Sequence, residues 1–123
     1  MKKTAAFPLA LMAALGAVSG AFAAGDPAKG EQAFTLCGTC HTGQAGAIAP
    51  DLHGVIGRKA GSQPDFQLYT QALKSADVVW TEETLSEFLK MPGAMIPGTT
   101  MAIPVPDETQ RGDLIAYLKT LDE

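Results

Sequence analysis

The sequence predicts an all-α domain whose helices are separated by long loops. Three stretches combine helix start or stop signals with apolar residues at helical spacing, and no run alternates apolar and polar residues for long enough to predict a strand. The chain of 123 residues holds 13 glycines and eight prolines. Many of them fall between the helical stretches, where these residue types favour turns and loops.

The first predicted helix begins at Asp26-Pro27 and runs to about Leu36. An aspartate N-cap followed by proline at the first helical position is typical of a helix start. Phe34 is expected on the inner face of this helix. Gly30 inside it costs about 1 kcal/mol relative to alanine, which is understandable if another helix crosses closely there.

Two further helices are predicted downstream, beyond a loop over residues 38–64 and a helical turn around residues 69–74. Thr81 is expected to cap the first of these helices, and Pro92-Gly93 to end it. A second loop then covers residues 93–106. Asp107 is expected to cap the last helix, with Gln110 completing a capping box. The buried residues of the two helices are expected to be Leu85, Phe88, Leu89, Leu114, Ile115, Leu118 and Leu121.

Residues 1–23 are typical of a cleaved export signal, which would leave residues 24–123 as a single domain. Lys2 and Lys3 precede the apolar run 5–18, and Ala21-Phe22-Ala23 places small residues where a signal peptidase acts. The apolar run is short for a membrane span, although a retained N-terminal anchor is the alternative. The pattern predicts a periplasmic protein that is not inserted in the membrane once the signal is removed.

The charge of the predicted mature chain excludes some classes of partner. Residues 24–123 carry seven basic and thirteen acidic side chains, a net charge of −6. Nucleic acid and anionic membrane surfaces are therefore not expected partners. A monomer is the expected state.

Cys37-Gly38-Thr39-Cys40-His41 has the C-x-x-C-H spacing of covalent haem attachment. Two thiols separated by two residues can add to the two vinyl groups of one porphyrin, and the histidine that follows can bind the iron. A Cys37–Cys40 disulfide is one alternative. A thioredoxin-like redox site is another, but the βαβ pattern of that class is missing. A zinc site would need two more ligands, and His53 is the only other histidine or cysteine.

A second iron ligand is sought among Met91, Met95 and Met101. Met91 ends a predicted helix and is interpreted as packing, and Met95 has no distinctive surroundings. Met101 follows Pro97-Gly98, which favours an extended loop that could press a side chain onto the haem. Met101 is therefore the preferred candidate, although methionine more often fills a core.

Four segments in this order resemble class I c-type cytochromes, close to mitochondrial cytochrome c and its bacterial periplasmic relatives. The segments are residues 37–41, 49–59, 96–101 and 113–119. The resemblance implies a small cytochrome c fold in which the N- and C-terminal helices cross and long loops wrap around one covalent haem c. Gly30 and Phe34 would then meet the last helix near Leu114 and Tyr117.

The resemblance also implies roles for individual residues. Cys37 and Cys40 would carry the haem, with His41 and Met101 as iron ligands. The Pro50 carbonyl would orient the His41 ring, and His53 would tie two loops together. The haem propionates would be hydrogen-bonded by side chains that donate, namely Arg58, Tyr69, Trp80 and Thr99.

Some positions depart from the mitochondrial pattern. Phe88 stands where a tyrosine usually contacts the methionine sulfur, and Leu36 and Thr100 stand where lysines surround the haem edge. The residues expected at this edge carry no charge, whereas acidic residues cluster on the last two helices. The expected edge residues are Leu36, Gly38, Thr39, Gln44, Thr100, Ala102 and Ile103.

The sequence as a whole therefore predicts a one-electron carrier of a respiratory chain, and not an enzyme. Its donor and acceptor would be periplasmic redox proteins or membrane oxidoreductase complexes. Two alternatives stay open. One is a peroxidase-like or gas-sensing protein in which the methionine dissociates, and the other is a haem subunit of a larger oxidoreductase.

Overall fold

The computed structural model describes residues 24–122, so the predicted export signal lies outside the described residues. Within that range the chain forms five helices and no strand, and Lys59 and Val79 make an isolated antiparallel bridge. The all-α prediction is confirmed. The helices are α1 (Pro27–Cys37), α2 (Gln71–Ser75), α3 (Glu82–Lys90), α4 (Pro92–Met95) and α5 (Glu108–Thr120).

The three predicted N-caps close the starts of α1, α3 and α5. The Asp26 carboxylate accepts the backbone N–H of Ala28 at 2.9 Å. The Thr81 hydroxyl accepts the Thr84 N–H at 3.1 Å, and the Asp107 carboxylate accepts the Gln110 N–H at 2.7 Å. Each cap satisfies a donor that a helix start otherwise leaves unpaired.

The predicted loop from residue 93 to residue 106 is wrong at its beginning. Pro92 ends α3 as expected, but it also occupies the first position of α4, where proline is tolerated because its missing N–H is not needed. Met91, expected to pack inside, is 60% exposed at the junction of the two helices.

Helices α1 and α5 cross in direct contact. A Cβ atom at Gly30 would overlap the Asp113 carbonyl and lie 2.8 Å from Tyr117 Cβ. The rings of Phe34 and Tyr117 pack with centroids 5.2 Å apart. The two helices are thus so close that only a glycine fits at position 30, which explains its presence in the middle of α1.

The core lies mainly between α3 and α5 and extends into the loops. The predicted apolar residues of both helices are buried, except Leu121, which is partly exposed. Val55, Ala60 and Trp80 add loop residues to this core. None of the described helices is both long enough and apolar enough to cross a bilayer.

Candidate functional site

A cavity of about 550 Å³ opens beside the core and is lined mainly by apolar side chains. Helices α1, α2, α3 and α5 each contribute to its wall, together with both long loops. All nine site residues predicted from the sequence line this one cavity: Cys37, Cys40, His41, Pro50, Arg58, Tyr69, Trp80, Thr99 and Met101.

The C-x-x-C-H segment lies at the end of α1, where the chain continues for about one more turn. The Cys37 carbonyl accepts the backbone N–H groups of both Cys40, at 3.1 Å, and His41, at 3.0 Å. This turn directs all three side chains towards the same cavity. The spacing of the motif is therefore matched by a local backbone structure that groups its functional atoms.

The His41 ring is held by the Pro50 carbonyl. The distance from His41 Nδ1 to Pro50 O is 2.7 Å, and because a carbonyl can only accept, Nδ1 carries the hydrogen. The Nε2 lone pair is then free to bind a metal. Burial lowers the pKa of His41, although the Pro50 bond and the nearby Asp51 oppose this effect. The ring is thus neutral at neutral pH, as a metal ligand must be.

Cys37 and Cys40 both lie at the cavity wall, partly buried, and are not bonded to each other. Burial is the main cause that raises the pKa of Cys37, with a further contribution from Cys40. The alternative of a Cys37–Cys40 disulfide is not what the structure contains.

Of the three methionines in residues 24–122, Met101 is the one that lines the cavity. Its backbone N–H donates to the Thr99 hydroxyl at 3.3 Å, and the Thr99 N–H donates to the Ile96 carbonyl at 3.1 Å. These bonds shape the turn in front of Met101. Met91 and Met95 are not among the residues that line the cavity.

Arg58 and Trp80 are brought together by paired backbone bonds between two loops. The Trp80 N–H donates to the Arg58 carbonyl at 2.9 Å, and the Gly57 N–H donates to the Trp80 carbonyl at 2.6 Å. Gly57 has a φ of +87°, which a glycine adopts without strain. Residues more than twenty positions apart thus reach the same wall of the cavity.

Each of the four predicted propionate donors keeps an unused hydrogen. Arg58 donates to His53 O, Gln63 Oε1 and Asp51 O, which uses three of its five N–H groups. Tyr69 and Thr99 accept hydrogen bonds from backbone N–H groups through their hydroxyls, whose own hydrogens stay available. Within residues 24–122 no hydrogen bond involves the indole N–H of Trp80. Donors aimed at an apolar cavity suit a ligand with carboxylate groups.

The structure also departs from the sequence predictions. His53 does not tie two loops together, because its ring bonds to Asp51, two residues earlier in the same loop, at 2.7 Å. Sequence reasoning missed several apolar residues of the cavity wall. Among them are Ile48, Phe66 and Leu68, which belong to loops. Loops have no periodicity that marks a residue as part of the cavity wall, so such residues could be predicted only within the helices.

These features together fit a haem. The cavity offers an apolar wall for a porphyrin, two cysteines with the sequence spacing of covalent haem attachment, an imidazole with a free Nε2, a thioether, and unused donors for carboxylates.

Comparison with known families agrees with this description. The model of the Cytochrome c family matches residues 27–122. The chain belongs to the cytochrome c family. It is accordingly a class I c-type cytochrome with the small all-α fold of that class, it carries covalent haem c, and it is an electron carrier and not an enzyme.

Individual relatives extend over most of this cytochrome. Cytochrome c2 of Rhodomicrobium vannielii is 43% identical over 105 residues, covering 81% of this chain and 82% of that protein. Cytochrome c2 of Agrobacterium tumefaciens is 46% identical over 103 residues, covering 76% and 90%. The solved structure of cytochrome cH from Methylobacterium extorquens matches with a TM-score of 0.74 and 40% identity, covering 78% of this chain and 99% of that one.

Proposed function

We propose that this cytochrome is a periplasmic one-electron carrier whose haem is attached at Cys37 and Cys40 and ligated by His41 and Met101. The observation that carries the proposal is that one apolar cavity is lined by both His41 and Met101, sixty residues apart in the chain. When bound, the haem supplies a one-electron iron couple.

The two proposed ligands favour electron transfer over substrate chemistry. The Pro50 carbonyl fixes the orientation of the His41 ring, which limits the movement of this ligand during electron transfer. Met101 offers a soft thioether, which raises the reduction potential of a haem. With both ligands in place no iron position is left for a substrate, as a carrier requires.

The propionates are proposed to bind the donors of Arg58, Tyr69, Trp80 and Thr99. The carboxylate groups would be expensive to bury without such donors. The Arg58 guanidinium also supplies the one positive charge among the residues that line the cavity.

Substitution of the methionines tests the ligand assignment. Met101→Ala is expected to abolish the weak far-red sulfur-to-iron band of the ferric protein, to lower the reduction potential and to allow cyanide to bind. Met95→Ala is the matched control, because Met95 lies in α4 and does not line the cavity. Absorption spectra and a redox titration of the purified holoproteins provide the readout. Loss of the band in Met95→Ala but not in Met101→Ala would refute the assignment.

Wild-type behaviour in the same measurements separates a carrier from the peroxidase-like or gas-sensing alternative. A permanent methionine ligand predicts that the resting protein keeps the far-red band and binds cyanide or carbon monoxide slowly. Rapid binding by the unmodified protein would favour the alternative.

Export to the periplasm is proposed from residues 1–23, with cleavage after Ala23. In a host with a working cytochrome-maturation system, the periplasmic fraction should contain a polypeptide of residues 24–123 plus one haem. Intact mass and a haem stain on a denaturing gel measure both. A membrane-bound product that keeps residues 1–23 would indicate a retained anchor instead.

A redox partner is proposed to dock at the mouth of the cavity. Several exposed apolar side chains border it, including Leu36 (58% exposed) and Ile48 (71%). Among the cavity residues Arg58 alone is charged. The contact would therefore depend on apolar complementarity more than on ion pairs.

A further inference from the structure

Arg111 is a buried cation outside the cavity. It lies in the first turns of α5 and is 7% exposed. No carboxylate within residues 24–122 makes a salt bridge to it. Its guanidinium instead donates to three oxygens: Ser86 Oγ at 3.1 Å, the Val105 carbonyl at 2.9 Å and the Pro106 carbonyl at 2.7 Å.

This position is unfavourable for a cation in two ways. Burial removes the charge from water, which is costly even for a paired ion. The N-terminal end of a helix also carries a partial positive charge, which repels another cation. An apolar side chain would fill the same space at lower cost, so the structure points to a specific use of the guanidinium.

The carbonyls that Arg111 binds end the segment that carries Met101. We define this segment as the Met101 loop, residues 96–106. At its end the Val105 N–H donates to the Leu89 carbonyl of α3 at 2.7 Å, and Val105 itself is 8% exposed. Arg111 thus joins the loop to α5, at the point where α3 also holds it.

Few other contacts fix the loop between Met101 and this point. Residues 102–104 are exposed, and Pro104 and Pro106 have no N–H to donate. Their fixed φ angles stiffen the chain, so a displacement at residues 105–106 is transmitted towards Met101 instead of being absorbed on the way. Upstream, the turn from Ile96 to Thr99 provides the other anchor.

We infer that Arg111 is a positioning residue for the axial methionine: by holding the carbonyls of Val105 and Pro106, it keeps Met101 at the haem site. The inference rests on the proposed ligation by Met101. Arg111 does not line the cavity, so it makes no contact with a haem bound there. Its effect is exerted through the loop backbone.

The test replaces Arg111 in the holoprotein and measures how readily Met101 is displaced. Arg111→Leu keeps the site buried but removes the donors. Cyanide association with the ferric protein should become about tenfold faster, since a hydrogen bond from a charged donor is lost at each carbonyl. Arg111→Lys keeps the charge but not the forked donor geometry, and an increase of about threefold is expected. Ser86→Ala, which removes only the bond to α3, is the matched control and should stay within about twofold of wild type.

Urea unfolding of the same proteins separates positioning from general stability. If the Arg111 variants lose stability but bind cyanide at the wild-type rate without urea, Arg111 is merely structural and the inference is wrong. If Arg111→Leu yields no holoprotein, Arg111→Lys decides alone, and a wild-type rate overturns the inference. Met101→Ala identifies a failure of the ligand assignment itself: a far-red band that survives that substitution refutes the ligation, whatever the Arg111 variants do.

Discussion

Asp51 illustrates how a single side chain supports the site from outside the cavity centre. It follows Pro50, whose carbonyl orients His41, and its own carbonyl accepts a hydrogen bond from Arg58 at 2.8 Å. Its carboxylate accepts both the ring N–H of His53, at 2.7 Å, and the backbone N–H of His53, at 3.0 Å. The hydrogen bond from the His53 ring is the main cause that lowers the pKa of Asp51 below its ordinary value.

This lowered pKa predicts a contribution to acid stability. A carboxyl group with a lower pKa in the folded state stabilises the fold above its ordinary pKa, here 3.8, and loses that contribution as the pH falls through the folded-state pKa. Asp51→Asn should therefore make the free energy of unfolding fall less steeply below about pH 4. The effect should be small, because the Asp51 side chain is 37% exposed.

Urea unfolding at a series of pH values between 7 and 3 measures this difference. Asp65→Asn is the matched control, since Asp65 lies in the neighbouring loop, is exposed, and makes no side-chain hydrogen bond within the described part of the chain. Equal pH dependence in Asp51→Asn and wild type would show that the bond from His53 has no energetic weight.

The helices could be predicted from the sequence because their signals are local. Asp26, Thr81 and Asp107 each cap a backbone N–H within three residues, so a short stretch of sequence contains both partners. The buried stripes of α3 and α5 follow from apolar spacing alone. Helix α4 is not predicted from the sequence, because Pro92 signals the end of one helix although it is equally compatible with the start of the next.

The loop contacts of the site depend on residues far apart in sequence and left little local signal. The bridge that brings Arg58 beside Trp80 and the anchor of Val105 on Leu89 consist of backbone bonds, which any residue type can make. The joint position of Cys37, His41 and Met101 at one haem is predicted by the C-x-x-C-H spacing and by the extended loop after Pro97-Gly98, and the resemblance to a family supports it. The place of Ile48 and Leu68 at the cavity wall is not predicted from the sequence, since loops lack periodicity.

The crossing of α1 and α5 could be predicted from the sequence only in part, unlike the helix caps, which are local, and the loop contacts, which leave little local signal. A glycine in the middle of a helix predicts a close approach, whereas the partner, the last helix, is implied only by the resemblance to a family. In the structure Gly30 packs on the Asp113 backbone of that helix, and the Asp113 carboxylate accepts the Asp26 N–H at 2.7 Å. Asp113, one of the acidic residues of the last helix, is only 9% exposed. The carboxylate thus ties the start of α1 to α5 instead of contributing to a charged surface.

At the scale of the whole molecule, the cavity and the hydrophobic core share part of their side chains. Leu85, Phe88 and Leu118 belong to the buried core and also line the cavity. A chain of about 100 residues buries a limited apolar area by itself, so a large apolar group in the cavity would complete the packing. Because the cavity opens at one face of the molecule, an apolar group bound in it would reach that face.

The uncharged character of this face predicts how electron transfer responds to salt. Leu36, Thr100 and Ile103 are exposed at the cavity, and the acidic residues of α3 and α5 do not line it. Salt strongly screens only charges that face each other across a contact. The rate with the physiological partner should therefore change only a few-fold between low and physiological ionic strength, against tenfold or more for strongly steered association. Stopped-flow measurements over a salt series test this.

Ile103→Lys should make the salt dependence steeper by placing a charge in the contact, whereas Glu83→Gln, on exposed α3 surface away from the cavity, should leave it unchanged. A steep dependence in the wild type, weakened by Glu83→Gln, would mean that the acidic face and not the cavity mouth meets the partner.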